Sequence, residues 1–129
     1  KEFIAQTAQF TSMEQMTNLT TYKAAHTGNG EVSCVLLINA IPQQPSACQS
    51  LLAAAAALEL HYEQYGIGNI SFAFADVVDR TLMDEFGNVL NYPIVVFFVG
   101  DGASCSEYYR SCGPMTLEQM KFYIERKRA

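Results

Sequence analysis

Three short apolar runs constrain the fold of this chain more than any other feature. They are residues 32–40 (VSCVLLINA), 70–75 (ISFAFA) and 94–99 (IVVFFV). Runs of this length and composition are typical of strands that are buried on both faces of a sheet. Segments with helical patterns separate the runs. We therefore predict a central sheet flanked by helices on both faces.

The longest of these helical segments follows the first run. Ser46 and Gln49 have the spacing of an N-cap and its reciprocal partner, and an apolar stripe continues from Cys48 to Tyr65. Gly66 supplies the stop signal of a helix. Residues 81–86 predict a second, shorter helix.

The two ends of the chain carry capping signals as well. Thr116 and Gln119 have capping-box spacing and predict the start of the last helix. Ser12 and Gln15 have the same spacing, so we expect a first helix to begin near Ser12.

A glycine turn at residues 100–102 (GDG) follows the third run, so residues 107–110 are expected to return antiparallel to it as a hairpin. The prediction is a single α/β domain over residues 1–129. Its central sheet is mixed, with a parallel portion and an antiparallel edge. The start at Lys1 suggests a domain cut from a larger protein.

Composition excludes several function classes. The chain of 129 residues has a formal net charge of −5, and its Lys and Arg residues do not form the extended cluster that a nucleic-acid surface needs. The longest apolar run, residues 51–58, is shorter than the roughly 20 residues of a transmembrane helix, so no membrane insertion is expected. The four cysteines have no metal-ligand spacing. We expect no metal and no cofactor.

A family resemblance rests on several short motifs in the second half of the chain. They are Phe86-Gly87, Tyr92-Pro93, Phe97-Phe98, the glycine turn at residues 100–102, and Glu107-Tyr108, followed by the amphipathic last helix. Together they resemble a thioredoxin-like domain of the protein disulfide isomerase type. The resemblance implies a thioredoxin-like fold, with Pro93 preceded by a cis peptide bond and facing the active loop.

The chain departs from this family at the redox site. Family enzymes carry Trp-Cys-x-x-Cys after the second strand, whereas this chain has residues 41–48 (IPQQPSAC) with Cys48 alone. Disulfide exchange needs a second thiol to resolve the mixed disulfide, and Cys34 is expected at the far end of the strand. The buried acid of the family enzymes is replaced by Leu37. The resemblance therefore implies a redox-inactive domain.

Cys48 itself has two interpretations. At the start of a helix, unpaired backbone N–H groups would stabilise its thiolate. It also lies on the apolar stripe of that helix, and free cysteine is among the most buried residue types. The loop also resembles that of the oxidoreductase subunits of oligosaccharyltransferase, which need a second cysteine where this chain has Leu51. We favour a buried role for Cys48 and keep the reactive thiol as the alternative.

The remaining cysteines and the histidines are expected to be structural. Cys105 and Cys112 could bond if the segment between them were a loop, but an extended strand, which we favour, would hold them apart. Cys34 is expected in the core. His26 and His61 are expected to be solvated rather than to act as bases or ligands.

The predicted function is that of a redox-inactive binding module of an endoplasmic reticulum or other secretory-pathway protein. The resemblance implies that it contacts unfolded polypeptide or neighbouring domains through a groove. The groove residues would be Ile41, Pro42, Pro45, Cys48, Tyr92 and Pro93. The alternatives are a single-cysteine exchange domain using Cys48 and a domain that only spaces others. Two sequons, at Asn18 and Asn69, would permit glycosylation.

Overall fold

The computed structural model describes residues 13–39, 46–87, 93–113 and 115–127. The elements in chain order are β1 (Glu14–Gln15), α1 (Leu19–Ala25), β2 (Val32–Ile38), α2 (Ser46–Gln64), β3 (Ile70–Asp76), α3 (Arg80–Glu85), β4 (Ile94–Gly100), β5 (Cys105–Cys112) and α4 (Leu117–Lys127). All three apolar runs form strands, as predicted. None of the described helices has the length and hydropathy of a bilayer-spanning segment.

The strands form one mixed sheet in the order β1-β3-β2-β4-β5. β2 is parallel to β3 and antiparallel to β4, and β3 is also parallel to β1. β4 and β5 form the predicted antiparallel hairpin. The parallel portion and the antiparallel edge are thus both confirmed.

The central strand β2 is buried along its whole length. Its side chains alternate between two hydrophobic cores, as the period of a strand requires. Leu36 lies in the core that contains the apolar sides of α2 and α4. Leu37 lies in the core that contains those of α1 and α3. Helices therefore cover both faces of the sheet, and the predicted fold class is confirmed.

The first helix is present, but its predicted start is wrong. Ser12 lies outside the described residues, but Glu14 pairs with Ala73 of β3, and the Met16 amide donates to the Phe74 carbonyl at 2.8 Å. Met13 and Met16 are both buried, but in opposite cores, because residues three apart on a strand face opposite sides. Pairing with β3 overrides the helical spacing, and α1 starts only after Asn18.

Two other helix signals hold. The Thr116 hydroxyl accepts from the Gln119 amide at 3.2 Å, and the Gln119 side chain accepts from the Thr116 amide at 2.9 Å. At the end of α2, Gly66 has a φ of 65°, and the Ile67 amide donates to the Tyr62 carbonyl at 2.9 Å. This bond is the long-range contact of a Schellman motif, which glycine permits at no steric cost.

A backbone junction at Gly100 joins the hairpin to the loop between α1 and β2. The Gly30 amide donates to the Gly100 carbonyl at 2.9 Å, and the Gly100 amide donates to the Glu31 carbonyl at 2.8 Å. A Cβ atom at residue 100 would lie 2.5 Å from the His26 carbonyl oxygen and 2.7 Å from that of Gly28. Both obstacles are backbone atoms, so a side chain at this position has no room.

We predict that Gly100→Ala lowers the free energy of unfolding by about 1–3 kcal/mol, the usual cost of overpacking. Equilibrium denaturation measures it. Gly68→Ala is the matched control, because nothing lies within 4 Å of its added Cβ. Equal stability of the two variants would contradict the junction.

Candidate functional site

One end of the sheet brings several chain segments together. The parallel strands β2 and β3 end there, the antiparallel strand β4 begins there, and β5 ends there. The Val77 amide donates to the Ile38 carbonyl at 2.9 Å, and the Gly113 amide donates to the Pro93 carbonyl at 2.8 Å. We call this edge the carboxyl end of the sheet. In open α/β sheets, ligands bind outside the carboxyl ends of the parallel strands.

Two of the six predicted groove residues are described, and both belong to this end. Pro93 is buried and lies one residue before β4, next to Ile94, which pairs with Leu37. Cys48 lies in the first turn of α2. The other four, Ile41, Pro42, Pro45 and Tyr92, lie outside the described residues. The cis peptide bond before Pro93 therefore stays a prediction.

Of the two interpretations of Cys48, the structure agrees with the buried role. Its exposed fraction is 0%, and it lies in the core beside β2 together with Leu51 and Leu52. Burial at this depth keeps an incoming disulfide away from the sulfur atom. Leu51, at the position where the resemblance implies a second cysteine, is fully buried as well. Both side chains are therefore packed as core.

Leu37 is fully buried as well, in the core on the opposite face of the sheet. It stands where the resemblance would place a proton-relaying acid. An aliphatic side chain at this position binds no proton and costs nothing to desolvate. Among the described residues at the start of α2, Cys48 is therefore the only thiol, and Leu37 brings no acid to the other face of the sheet.

The exposed surface of this end is partly apolar. Val78, in the turn after β3, has an exposed fraction of 60%. The neighbouring carboxylates hold the backbone: the Asp76 side chain accepts from the Val78 amide at 3.1 Å, and Asp79 accepts from the Leu82 amide at 3.1 Å as the N-cap of α3. In the described parts of the chain, no three His, Cys, Asp or Glu side chains come together as a metal site.

Cys112 is the functional candidate that sequence reasoning passed over. It ends β5 opposite Ile94, at the carboxyl end of the sheet, and it is exposed. Cys105 pairs with Gly100 at the other end of β5, so the extended segment separates the two thiols as expected. The exposure of Cys112 follows from the position of β5 at the sheet edge, which spacing in the sequence does not show.

The other two cysteines are shielded. Cys34 is fully buried, as predicted, and desolvation raises the pKa of its thiol. Desolvation also raises the pKa of Cys105, which is largely covered. All four cysteines are free thiols.

The prediction that His26 is solvated is wrong. Its Nδ1 atom contacts the Glu31 carboxylate and lies 3.3 Å from the Ser71 hydroxyl, and only 14% of its side chain is exposed. Ser71 also contacts the hydroxyls of Ser33 and Tyr22, at 2.8 and 3.4 Å. This polar cluster lies where β2 and β3 begin, opposite the carboxyl end.

The polar cluster does not have the geometry of a serine nucleophile. A His that relays a proton uses one ring nitrogen toward the serine and the other toward the acid, whereas Ser71 and Glu31 face the same nitrogen of His26. Burial raises the pKa of the Tyr22 hydroxyl to about 12, so the hydroxyl stays protonated. The cluster satisfies buried polar groups and ties α1 to the sheet.

Solved structures with the same architecture are numerous. The thioredoxin of Trichomonas vaginalis matches with a TM-score of 0.70 at 15% identity, over 88% of this chain and 96% of that chain. Mitochondrial thioredoxin 3 of Saccharomyces cerevisiae matches with a TM-score of 0.65 at 16% identity, over 92% and 98%. The chain has a thioredoxin-like fold. A mutant thioredoxin of Halobacterium salinarum matches at 0.66 and 20% identity, over 91% and 89%.

At these identities the likeness concerns the thioredoxin-like fold alone. No protein-family model matches the chain. No curated protein matches it either. Function therefore has to be argued from the carboxyl end of the sheet itself.

We predict a fixed order of cysteine alkylation in the native protein. Cys112 reacts first because it is exposed, Cys105 reacts more slowly because burial raises the pKa of its thiol, and Cys34 and Cys48 react only after unfolding. Mass spectrometry of protein alkylated with and without denaturant assigns each site. Cys112→Ser is the control and should remove the fast phase. Native labelling of Cys48 at the rate of Cys112 would refute its burial.

Proposed function

We propose that this chain is a redox-inactive binding module of thioredoxin-like fold that holds an extended, unfolded polypeptide at the carboxyl end of its sheet. The observation that carries the proposal is the packing of the first turn of α2. Cys48 and Leu51 both lie in the core, at the two positions where dithiol exchange would require accessible thiols. The described start of α2 therefore offers no accessible thiol, and we assign binding to the surface of this end.

The described rim of the carboxyl end fits a peptide that is apolar and not acidic. Val78 provides exposed apolar surface, and Asp76 and Asp79 place carboxylates on either side of it. Acidic residues of a peptide would be repelled there, since two charges of the same sign a few ångströms apart interact unfavourably. The net charge of −5 acts in the same direction. Residues 41–45 and Tyr92 complete the predicted groove.

The compartment and the parent protein belong to the same proposal. The resemblance to protein disulfide isomerase domains supports a secretory-pathway protein, in which the client is unfolded polypeptide or a neighbouring domain. Both sequon asparagines, Asn18 and Asn69, are exposed, which supports glycosylation there.

A second candidate function is the capture of client cysteines through one thiol. The observation that favours it is the exposure of Cys112 at the carboxyl end, and it moves this activity away from Cys48. The Cys112 thiolate would attack a client disulfide, a new S–S bond would form, and the client's other sulfur would leave as a thiolate. The resulting mixed disulfide would persist until an external thiol reduces it.

Fluorescence anisotropy with a labelled, cysteine-free peptide rich in Leu, Phe and Val tests the binding proposal. We predict that Val78→Lys weakens binding roughly fivefold to tenfold, because the contact with an exposed valine is worth about 1–1.5 kcal/mol. The control is Leu60→Lys, on the exposed side of α2 toward the other end of the sheet, where 52% of Leu60 is exposed. It should bind like the wild type.

Equal loss of affinity in the two variants would place binding elsewhere, and no binding of the peptide by the wild type would reject the module. Adding a disulfide-bonded peptide separates the two functions. A covalent adduct that disappears in Cys112→Ser supports capture, whereas binding without an adduct supports the redox-inactive module.

A further inference from the structure

An aromatic cluster lies between the edge strand β5 and helix α4, away from the proposed groove. The pairing of β4 with β5 shifts between Phe97 and Phe98, so that Tyr109 faces Phe97, Glu107 faces Phe98, and Tyr108 is the extra residue of a bulge. In a regular strand, Tyr108 and Tyr109 would point to opposite faces. Here both rings lie 6.1 Å from the Phe97 ring. The bulge therefore turns two consecutive tyrosines toward α4.

One tyrosine of α4 stacks directly on this pair. The rings of Tyr109 and Tyr123 are 4.0 Å apart and nearly parallel, with an interplanar angle of 12°. The Tyr123 hydroxyl donates to the Tyr109 hydroxyl at 3.2 Å, so the rings overlap with their phenolic ends together. The carbons ortho to the two hydroxyls therefore lie face to face. Both side chains are half-buried, so each keeps part of its surface exposed.

We propose that Tyr109 and Tyr123 form a site of oxidative modification, at which a one-electron oxidant such as a haem peroxidase with hydrogen peroxide makes an intramolecular dityrosine bond.

The hydrogen bond between the hydroxyls favours the first step. Tyr123 donates its proton, so the proton of Tyr109 is directed away and can leave to solvent with the first electron. The same hydrogen bond, and to a smaller extent desolvation, raises the pKa of Tyr123, so that Tyr123 keeps its proton until Tyr109 has been oxidised. A hydrogen atom can then pass between the two oxygens, so the unpaired electron is shared by the stacked pair.

One molecule of hydrogen peroxide accepts the two electrons and two protons that the coupling removes. Each phenol loses one electron and one proton, which gives two phenoxyl radicals. Their ortho carbons form one C–C bond, and the two ring protons at these carbons move to the oxygens and restore both phenols. The two electrons and two protons removed reduce hydrogen peroxide to two molecules of water.

The other described tyrosines lack this arrangement. Tyr22 and Tyr62 are buried, and the Tyr108 hydroxyl donates to the backbone carbonyl of Tyr123 at 2.8 Å. Tyr65 is the most exposed, at 70%, but its ring contacts His61 rather than another tyrosine. Tyr65 would therefore react only between molecules, whereas Tyr109 and Tyr123 react within one.

The bond would fasten the edge strand to the last helix. It would join residues 109 and 123 covalently and restrict the unfolded chain in the way that a disulfide does. The cross-linked protein should therefore unfold at a higher temperature.

The test oxidises the whole chain in dilute solution with a haem peroxidase and hydrogen peroxide, in a Cys112→Ser background so that the exposed thiol does not compete. We expect dityrosine fluorescence from a monomer that has lost two hydrogen atoms, and a digest that joins the peptides of Tyr109 and Tyr123. The cross-linked monomer should have a raised Tm.

Tyr109→Phe and Tyr123→Phe keep the stacked rings and should each lower the monomer's dityrosine at least tenfold. Tyr65→Phe is the matched control and should leave it unchanged. Cross-links only between molecules through Tyr65 would overturn the proposal. The proposal would also be overturned if the mass of the monomer did not fall by two hydrogen atoms under conditions in which added free tyrosine forms dityrosine.

Discussion

The complete burial of β2 is the constraint on which the rest of the structure depends. Its backbone pairs with β3 on one side and β4 on the other, and both of its faces lie in hydrophobic cores. Because a buried backbone must have its hydrogen bonds satisfied, β2 can exist only with both neighbours in place. Its last residues and those of β3 then define the carboxyl end, where the chain turns from β3 into α3. The candidate site is a consequence of that end.

The same burial is the reason why we propose binding rather than exchange at this end. Thiol exchange needs a thiolate, and a thiolate is stabilised by positive charge and water rather than by aliphatic neighbours. At the start of α2 the neighbours of Cys48 are core residues, and Leu37 places another aliphatic side chain across the sheet. Packing at these positions contributes to stability, while the surface around Val78 stays available for contact. A thioredoxin-like fold can therefore keep its shape while the chemistry at this end changes.

The sequence predicted the elements whose signals are local or strongly periodic. The three buried strands, the hairpin and the capping box at Thr116 all follow from short patterns that a few neighbouring residues satisfy. Prediction from the sequence failed where a contact with a residue distant in the chain determines the local structure. The residues near Met16 have helical spacing but pair with β3, and His26 borders a glycine turn but folds onto Ser71. The bulge that aligns Tyr109 with Tyr123 depends on the pairing of two strands, and no pattern within β5 reveals it.

The most direct measurement is to record amide chemical shifts of the isotopically labelled chain while the Leu-, Phe- and Val-rich peptide is added. Binding at the carboxyl end predicts shifts for Asn39, for residues 76–79 and for Ile94 and Gly113, with residues 28–33 at the opposite end unchanged. Shifts confined to that opposite end, or to the outer side of α2, would contradict the account.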